Sequence, residues 1–201
     1  EFYYGKRVRE KYKEYHGILS IRKTSNTRDY LFSKNPKLDN GIVRYGKLPI
    51  DAHTESVNLI KYNTDDFPTM PNLLNEYSKS YFSFVIETEI GERDSTITTL
   101  TEKTLIALLT GTMPIILGNR GLITDLNNMG IKTFNSEFGF ETADCYSTQS
   151  KLKIDAFFEC INNVNKLSFN DIHTMWTENR DKIQQNYDLI SYLLFSKEMT
   201  I

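Results

Sequence analysis

Residues 101–118 read Thr-Glu-Lys-Thr-Leu-Ile-Ala-Leu-Leu-Thr-Gly-Thr-Met-Pro-Ile-Ile-Leu-Gly, and this stretch decides the fold class. It predicts an apolar helix from about 100 to 110, a glycine turn and a buried strand over 113–117. A helix that leads directly into a buried strand is typical of an α/β sheet. Thr99 and Glu102 have capping-box spacing, so we expect the helix to start near residue 99.

Lys103 lies in the first turn of this predicted helix, where the helix dipole disfavours a positive charge. A lysine makes physical sense there if an anion binds beside it, and phosphate is the usual anion at a helix N-terminus. The alternative is a surface lysine that points into solvent. Glu102 also has two explanations, because capping and the dipole account for it without any ligand.

The rest of the chain alternates predicted strands with predicted helices. Strands are predicted at 17–21, 41–45, 57–62, 81–87 and 131–134, and helices at 28–32, 71–77, 122–129, 149–164 and 169–195. Asp39-Asn40-Gly41 predicts a turn, Gly130 suits a helix C-terminus, and Ser168 with Asp171 suits a helix start. This order predicts an α/β domain with a mainly parallel sheet, flanking helices and a helical C-terminal segment.

Composition and charge favour a globular protein and exclude several functional classes. The 201 residues are 39% hydrophobic and 25% charged, and the net charge of −2 argues against broad nonspecific binding of nucleic acid. The longest apolar stretch, around 105–118, is too short and too interrupted to span a bilayer. The two cysteines, Cys145 and Cys160, lack metal-ligand spacing and fit a reducing compartment.

Three segments are expected along the chain. Residues 1–17 are basic and aromatic and are predicted to be helical near their end, residues 18–147 form the α/β domain, and residues 148–201 add helices packed on it. Because the chain begins at Glu1 rather than Met, we expect that it has been trimmed or cut from a longer protein.

Polar residues follow several predicted strands, so we expect them to meet at one edge of the sheet. Arg28 opens a helix after the first strand, either as a phosphate clamp or as a surface charge. Glu87 ends a strand, either as an acceptor for sugar hydroxyls or as an ordinary solvated strand end. Gly118 and Gly121 either let a backbone approach a ligand or only shape a turn.

Other polar and aromatic residues point to no chemistry of their own. No carboxylate or cysteine stands at metal-ligand spacing from any histidine, so no metal site is expected. The residues concerned are His16, His53 and His173, expected to be structural or exposed, Arg22 and Arg120, expected to be solvated, and Trp176, expected in the core.

Two motifs together carry a family resemblance. Tyr-Phe-Ser-Phe-Val-Ile-Glu-Thr at 81–88, a polar loop, and the run at 101–118 resemble the donor-binding motif of the α-1,3/4-fucosyltransferases. In that family a strand ending in Phe-Glu-Asn precedes Tyr-x-Thr-Glu-Lys, an apolar helix, Pro-Ile or Pro-Val, and a glycine. A weaker likeness, shared with fucosyltransferase-like proteins of phages and large viruses, covers about 18–135 and includes Gly-Ile-Lys-Thr-Phe at 130–134.

The resemblance implies one Rossmann-like half of a GT-B glycosyltransferase, located in the cytoplasm of a bacterium or a virus-infected cell. The implied substrates are a nucleotide-sugar donor, with GDP-fucose suggested, and a glycan or other hydroxyl acceptor, and no metal is required. The implied donor site has Arg28 and Lys103 at the diphosphate, Glu102 at the ribose or nearby hydroxyls, and Glu87 shaping the pocket, with Thr88, Thr99 and Gly118 beside them.

The chain departs from the family at positions that bear on catalysis. Thr88 and Thr99 stand where the family carries asparagine and tyrosine, and no acceptor-binding half is visible in the first 17 residues. The general base is not identified, and Glu87, Glu89 and Asp94 are the candidates. The alternatives are therefore a non-catalytic nucleotide-sugar-binding module of a larger protein and an interaction domain without a pocket.

Overall fold

One parallel sheet organises the part of the chain that the structure describes. The computed structural model describes residues 12–21, 26–45, 59–61, 70–87, 101–140 and 150–195. Its strands are β1 (Tyr15–Ile21), β2 (Ile42–Tyr45), β3 (Leu59–Lys61), β4 (Ser80–Ile86) and β5 (Met113–Leu117). All neighbouring pairs are parallel, and the spatial order is β3-β2-β1-β4-β5. This is a Rossmann-like order, which confirms the predicted α/β class.

Helices cover both faces of this sheet. They are α1 (Asn26–Ser33), α2 (Met70–Ser78), α3 (Glu102–Leu109), α4 (Leu122–Asn128), α5 (Ser150–Asn165), α6 (Phe169–Glu178) and α7 (Arg180–Phe195). Buried side chains of α1, α5 and α6 belong to one apolar cluster, and those of α2, α3 and α4 belong to another. Helix α7 contributes to both clusters.

The alternation of side chains along β1 explains the two clusters. Leu19 and Ile21 point to the cluster that includes α1 and α5, whereas Ile18 points to the opposite one. Because both faces of the sheet are covered, the strands are continuous apolar runs rather than alternating polar and apolar residues. Every residue of β4 and β5 is buried.

The strand order creates a topological switch point between β1 and β4. The chain first builds β2 and β3 on one side of β1, and it then returns to place β4 on the other side. In open α/β sheets the connections on the two sides of such a point diverge and leave a crevice at the carboxyl ends of the strands. Ligands of open α/β sheets bind in such crevices, so the predicted site residues should lie at the switch point.

The prediction of a strand over 131–134 is wrong, because a side chain occupies the place beside β5 where that strand would pair. The Asn135 amide donates from Nδ2 to the Ile116 carbonyl at 2.7 Å, and its Oδ1 accepts from the Ile116 N–H at 3.0 Å. The N–H of Phe134 donates to the Pro114 carbonyl at 2.9 Å. These bonds take up backbone groups of β5 that a further strand would have used.

Two other expected boundaries are also wrong. The single helix expected over 169–195 is two helices, because Asn179 ends α6 with its Nδ2 donating to the Met175 carbonyl at 2.9 Å. Tyr15 and His16 belong to β1 rather than to a helix. The N–H of Tyr15 donates to the Lys79 carbonyl at 3.0 Å, which draws the chain alongside β4. Residues 1–11 lie outside the described residues.

Candidate functional site at the switch point

Arg28 of α1 reaches across to the end of β4. Its Nη2 donates to the backbone carbonyls of Ile86 at 3.4 Å and Glu87 at 3.2 Å. Only 4% of the residue is exposed. Burial lowers the pKa of Arg28, while the Glu87 and Glu102 carboxylates act in the opposite direction. An arginine stays charged in proteins, so α1 supplies a fixed positive charge at the carboxyl end of β4.

Glu87 connects β4 to the start of α3. Its side chain is buried, and its two carboxylate oxygens accept hydrogen bonds from the hydroxyls of Thr101 and Thr104. The N–H of Thr101 also donates to Glu87 Oε1 at 3.3 Å. The carboxylate is therefore enclosed, and neither a solvated strand end nor an open acceptor for sugar hydroxyls describes it.

Thr101 is the N-cap of α3, so the capping box expected from Thr99 is wrong. The Thr101 hydroxyl accepts from the Lys103 N–H at 3.4 Å while donating its own hydrogen to Glu87. The buried carboxylate thus orients the cap, which fixes the helix start at residue 102. Thr99 itself lies outside the described residues.

Lys103 folds back over the start of α3. Its Nζ lies 3.0 Å from Glu102 Oε1 and 3.5 Å from Thr101 Oγ1, and its side chain is 16% exposed against 63% for Glu102. Burial acts to raise the pKa of Glu102, but Lys103 and Arg28 outweigh it, so this carboxyl has a lowered pKa. Lys103 is thus an ammonium held at the helix start by an exposed carboxylate that an incoming anion can replace.

The two glycines after β5 have structural explanations. A Cβ on Gly118 would overlap Leu122 Cδ2, so a side chain there would have to displace Leu122 of α4. Gly121 has a φ of +85°, a conformation that side chains other than glycine's disfavour. Arg120 is exposed between them. The interpretation that these glycines shape the turn accounts for both positions.

The structure brings together four of the residues that the sequence singles out: Arg28, Glu87, Glu102 and Lys103. Gly118 follows the neighbouring strand, where the Glu87 N–H donates to the Leu117 carbonyl at 2.9 Å. The remaining candidates lie outside the described residues: Arg22, Thr88, Glu89, Asp94 and Thr99.

Sequence reasoning missed Thr101 and Thr104, which hold the Glu87 carboxylate. A signal for them is present, because residues three apart at a helix start lie on one face, and both of these carry a hydroxyl. Two hydroxyls on one face beside a strand that ends in glutamate favour a buried carboxylate contact.

Other chemistry-bearing groups in the described ranges give no second site of this kind. Among those residues, no three His, Cys, Asp or Glu side chains are grouped so as to hold a metal ion. Cys160 is buried, and burial raises the pKa of its thiol to about 12, which makes it a poor nucleophile. No helix within the same ranges has both the length and the apolar character needed to cross a membrane.

Comparisons with known proteins yield no relative. No family model matches the chain, and neither the curated proteins nor the solved structures give a match. The fold class therefore rests on the strand order, and any functional assignment rests on the residues at the switch point.

Proposed function

We propose that this chain is a fucosyltransferase-like glycosyltransferase domain that binds a nucleotide-sugar donor at the switch point. The observation that carries the proposal is the meeting of Arg28, Lys103 and the first turn of α3 at the end of β4. Two cations and a helix N-terminus beside one crevice are suited to a diphosphate. The motif at 101–118 favours GDP-fucose as the donor, and the cysteine pattern favours action in a reducing cytoplasm.

Lys103 is the proposed contact to the diphosphate. Its ammonium is held by Glu102, whose side chain is 63% exposed and free to turn towards solvent or towards donor hydroxyls. A diphosphate that replaces this carboxylate gains a charge-assisted hydrogen bond and the favourable field of the α3 N-terminus. Arg28 is buried, so its contribution is the charge that it holds under the crevice.

The proposed transfer needs electrostatic stabilisation of the leaving group. An acceptor hydroxyl forms a new bond to the anomeric carbon, the bond from that carbon to the diphosphate oxygen breaks, and the acceptor proton goes to a base. Lys103 and the start of α3 stabilise the charge that develops on the diphosphate. Glu87 is a positioning residue in this scheme, because its carboxylate is occupied by Thr101 and Thr104.

A non-catalytic nucleotide-sugar-binding module is the second candidate, and the state of Glu87 favours it. Because this buried carboxylate already accepts hydrogen bonds from α3, it is poorly placed to take a proton from an acceptor. The other candidate bases, Glu89 and Asp94, lie outside the described residues. The two functions differ in one measurable outcome, since a binding module holds the donor without releasing the diphosphate.

Titration calorimetry with GDP, UDP and GDP-fucose tests donor binding. We expect a nucleoside diphosphate to bind the parent, and Lys103→Ala to weaken binding by roughly tenfold to a hundredfold, the effect of one charge-assisted hydrogen bond. Lys79→Ala is the matched control, because Lys79 pairs with Glu14 at the opposite end of β4.

The outcomes separate the possibilities. If no nucleoside diphosphate or its sugar binds, the donor-binding proposal is wrong, and if Lys103→Ala binds as tightly as the parent, the site is wrong. Release of GDP from GDP-fucose in the presence of a glycan acceptor supports the transferase. Binding without release under the same conditions supports the second candidate.

A further inference from the structure

A short segment at the amino end of the sheet, residues 12–14, packs on α6 far along the strands from the switch point. We call it the strap. Its end next to β1 is anchored, because the Glu14 N–H donates to the Lys79 carbonyl at 2.8 Å and the Glu14 carboxylate pairs with Lys79 Nζ at 3.1 Å. Tyr12 and Lys13 continue from this anchor towards α6.

Lys13 is buried in the contact, and it has few partners among the residues that the structure describes. The residue is 8% exposed, and its Nζ donates to the Ser78 carbonyl at 3.3 Å and lies 5.5 Å from the centroid of a Trp176 ring. A lysine ammonium has three hydrogens to donate, so one carbonyl and one ring face satisfy it incompletely. Burying such a charge with no carboxylate partner among the described residues costs far more than burying a neutral amine.

The neighbours of Lys13 tie the strap to both the sheet and α6. The Tyr81 hydroxyl accepts from the Lys13 N–H at 3.3 Å and shares a hydrogen bond with His173 Nδ1 at 2.7 Å. The Tyr12 ring stacks on the His173 ring with centroids 3.9 Å apart, yet Tyr12 is 61% exposed. The contact therefore depends on one exposed ring and one buried amine.

We propose that the strap docks on α6 while the Lys13 amine is neutral and lifts from it when that amine is protonated. The hinge is Glu14, whose pairing with Lys79 persists in both states. Lifting uncovers the Trp176 face and leaves β1 in place, so the device acts at the amino edge of the sheet. It is independent of the nucleotide site proposed at the carboxyl edge.

The pH direction follows from burial. Burial lowers the pKa of the Lys13 amine from 10.5 to about 7 in the docked state, whereas a lifted strap restores an ordinary lysine. Between pH 7 and 10.5 the docked form therefore binds fewer protons than the lifted form. Within that range the docking constant rises up to tenfold for each unit of pH. Below pH 7 both states are protonated, and the docking constant levels off at its weakest value.

Six other titratable or charged groups of the described residues lie around Lys13. They are Tyr12, Glu14, His16, Lys79, Tyr81 and His173. Glu14 and Lys79 pair with each other, and burial raises the pKa of Tyr81, which keeps its phenol neutral. Burial lowers the pKa of His16, against the effect of Asp39, so this ring stays neutral at pH 7 and above. His173, on which the Tyr12 ring stacks, is the neighbour that the experiment must distinguish from Lys13.

Trp176 is the single tryptophan of the chain, which makes its fluorescence a specific reporter of the strap. We expect the emission of the parent to change between pH 6 and 10 and Lys13→Met, which keeps the length of the side chain without the amine, to remove that change. Lys182→Met, at an exposed lysine of α7 that pairs with Glu137, is the control for loss of a lysine outside the strap. His173 is unchanged in Lys13→Met, so a change that originates in His173 would survive in that variant.

A second measurement keeps the proposal testable if a variant folds poorly. In the parent labelled with carbon-13 in its lysines, the Lys13 Cε resonance should titrate below 10.5 and share one midpoint with the Tyr12 ring signals. An ordinary lysine titration, or titration of Lys13 without any movement of the Tyr12 and Trp176 signals, would overturn the proposal. So would a transition that survives in Lys13→Met.

Discussion

The Arg28 guanidinium donates to the backbone carbonyl of Glu87 at 3.2 Å, so a residue of α1 holds the backbone that follows β4. The side chain of the same glutamate binds the start of α3, and its N–H donates to the Leu117 carbonyl of β5. One residue therefore connects α1, α3 and β5 at the switch point. Stability measurements can test this framework separately from any ligand.

Replacing Glu87 should loosen the start of α3. Glu87→Ala leaves the hydroxyls of Thr101 and Thr104 without their acceptor, and it should lower the free energy of unfolding by about 1–3 kcal/mol. Urea denaturation measures the change, and Glu159→Ala on the exposed side of α5 is the control. Equal stabilities of the two variants would show that the carboxylate does not hold the helix.

Removing the Asn135 amide should expose unpaired backbone in β5. Asn135→Ala deprives both the N–H and the carbonyl of Ile116 of partners in a buried setting, at a cost of about 1–3 kcal/mol for each group. The exposed Asn128 offers a control substitution to alanine in the same unfolding experiment. If Asn135→Ala lowered the free energy of unfolding by only a few tenths of a kcal/mol, as a surface substitution does, the pairing of Asn135 with Ile116 would be contradicted.

A methyl group at Gly118 should conflict with Leu122. Its carbon would overlap Leu122 Cδ2 unless one of the two moves, so Gly118→Ala should cost about 1–3 kcal/mol through overpacking. Because Leu122→Ala makes room, the same change should cost less in that background, which a double-mutant cycle by urea denaturation measures. Additive losses at Gly118 and Leu122 would rule out the steric explanation.

At Gly121, where nothing lies within 4 Å of the Cβ position, alanine should cost about 1–2 kcal/mol through its positive φ alone.

The Cys160 thiol should be unreactive in the folded protein. Burial raises its pKa to about 12, above the ordinary value of 9, so the folded state keeps this proton as the pH rises and loses stability above pH 9. In a Cys145→Ser background, iodoacetamide at pH 8 should modify Cys160 only after denaturation. Rapid modification of the native protein, read by mass spectrometry, would show that the thiol is accessible.

Local sequence signals predict the elements whose hydrogen bonds are internal to the sheet or helix. The strand over Met113–Leu117 is predicted with its observed bounds, because Gly111 and Gly118 bracket a continuous apolar run. Ser168 with Asp171 likewise marks the start of α6 through a capping box. The prediction of a strand at 131–134 is wrong because the Asn135 side chain makes the hydrogen bonds to the Ile116 backbone. No local sequence pattern indicates such long-range bonds.

The candidate site is predictable in its location and less so in its contacts. Parallel topology places Arg28, Glu87 and Lys103 near one edge, and the structure brings them there. The predicted N-cap lies two residues too early, because Glu87, distant in sequence from α3, decides which threonine caps the helix. A buried carboxylate selects its partners through three-dimensional packing, which spacing along the chain does not record.

The pairing of Asn135 with Ile116 also bears on how this protein behaves at high concentration. Strand β5 is an outer strand of the sheet and entirely apolar, which makes it a natural template for a strand of another molecule. Pro114 has no N–H to offer, its carbonyl is taken by Phe134, and both backbone groups of Ile116 are bonded to Asn135. One asparagine and one proline thus protect this edge of the sheet against pairing with a strand of another molecule.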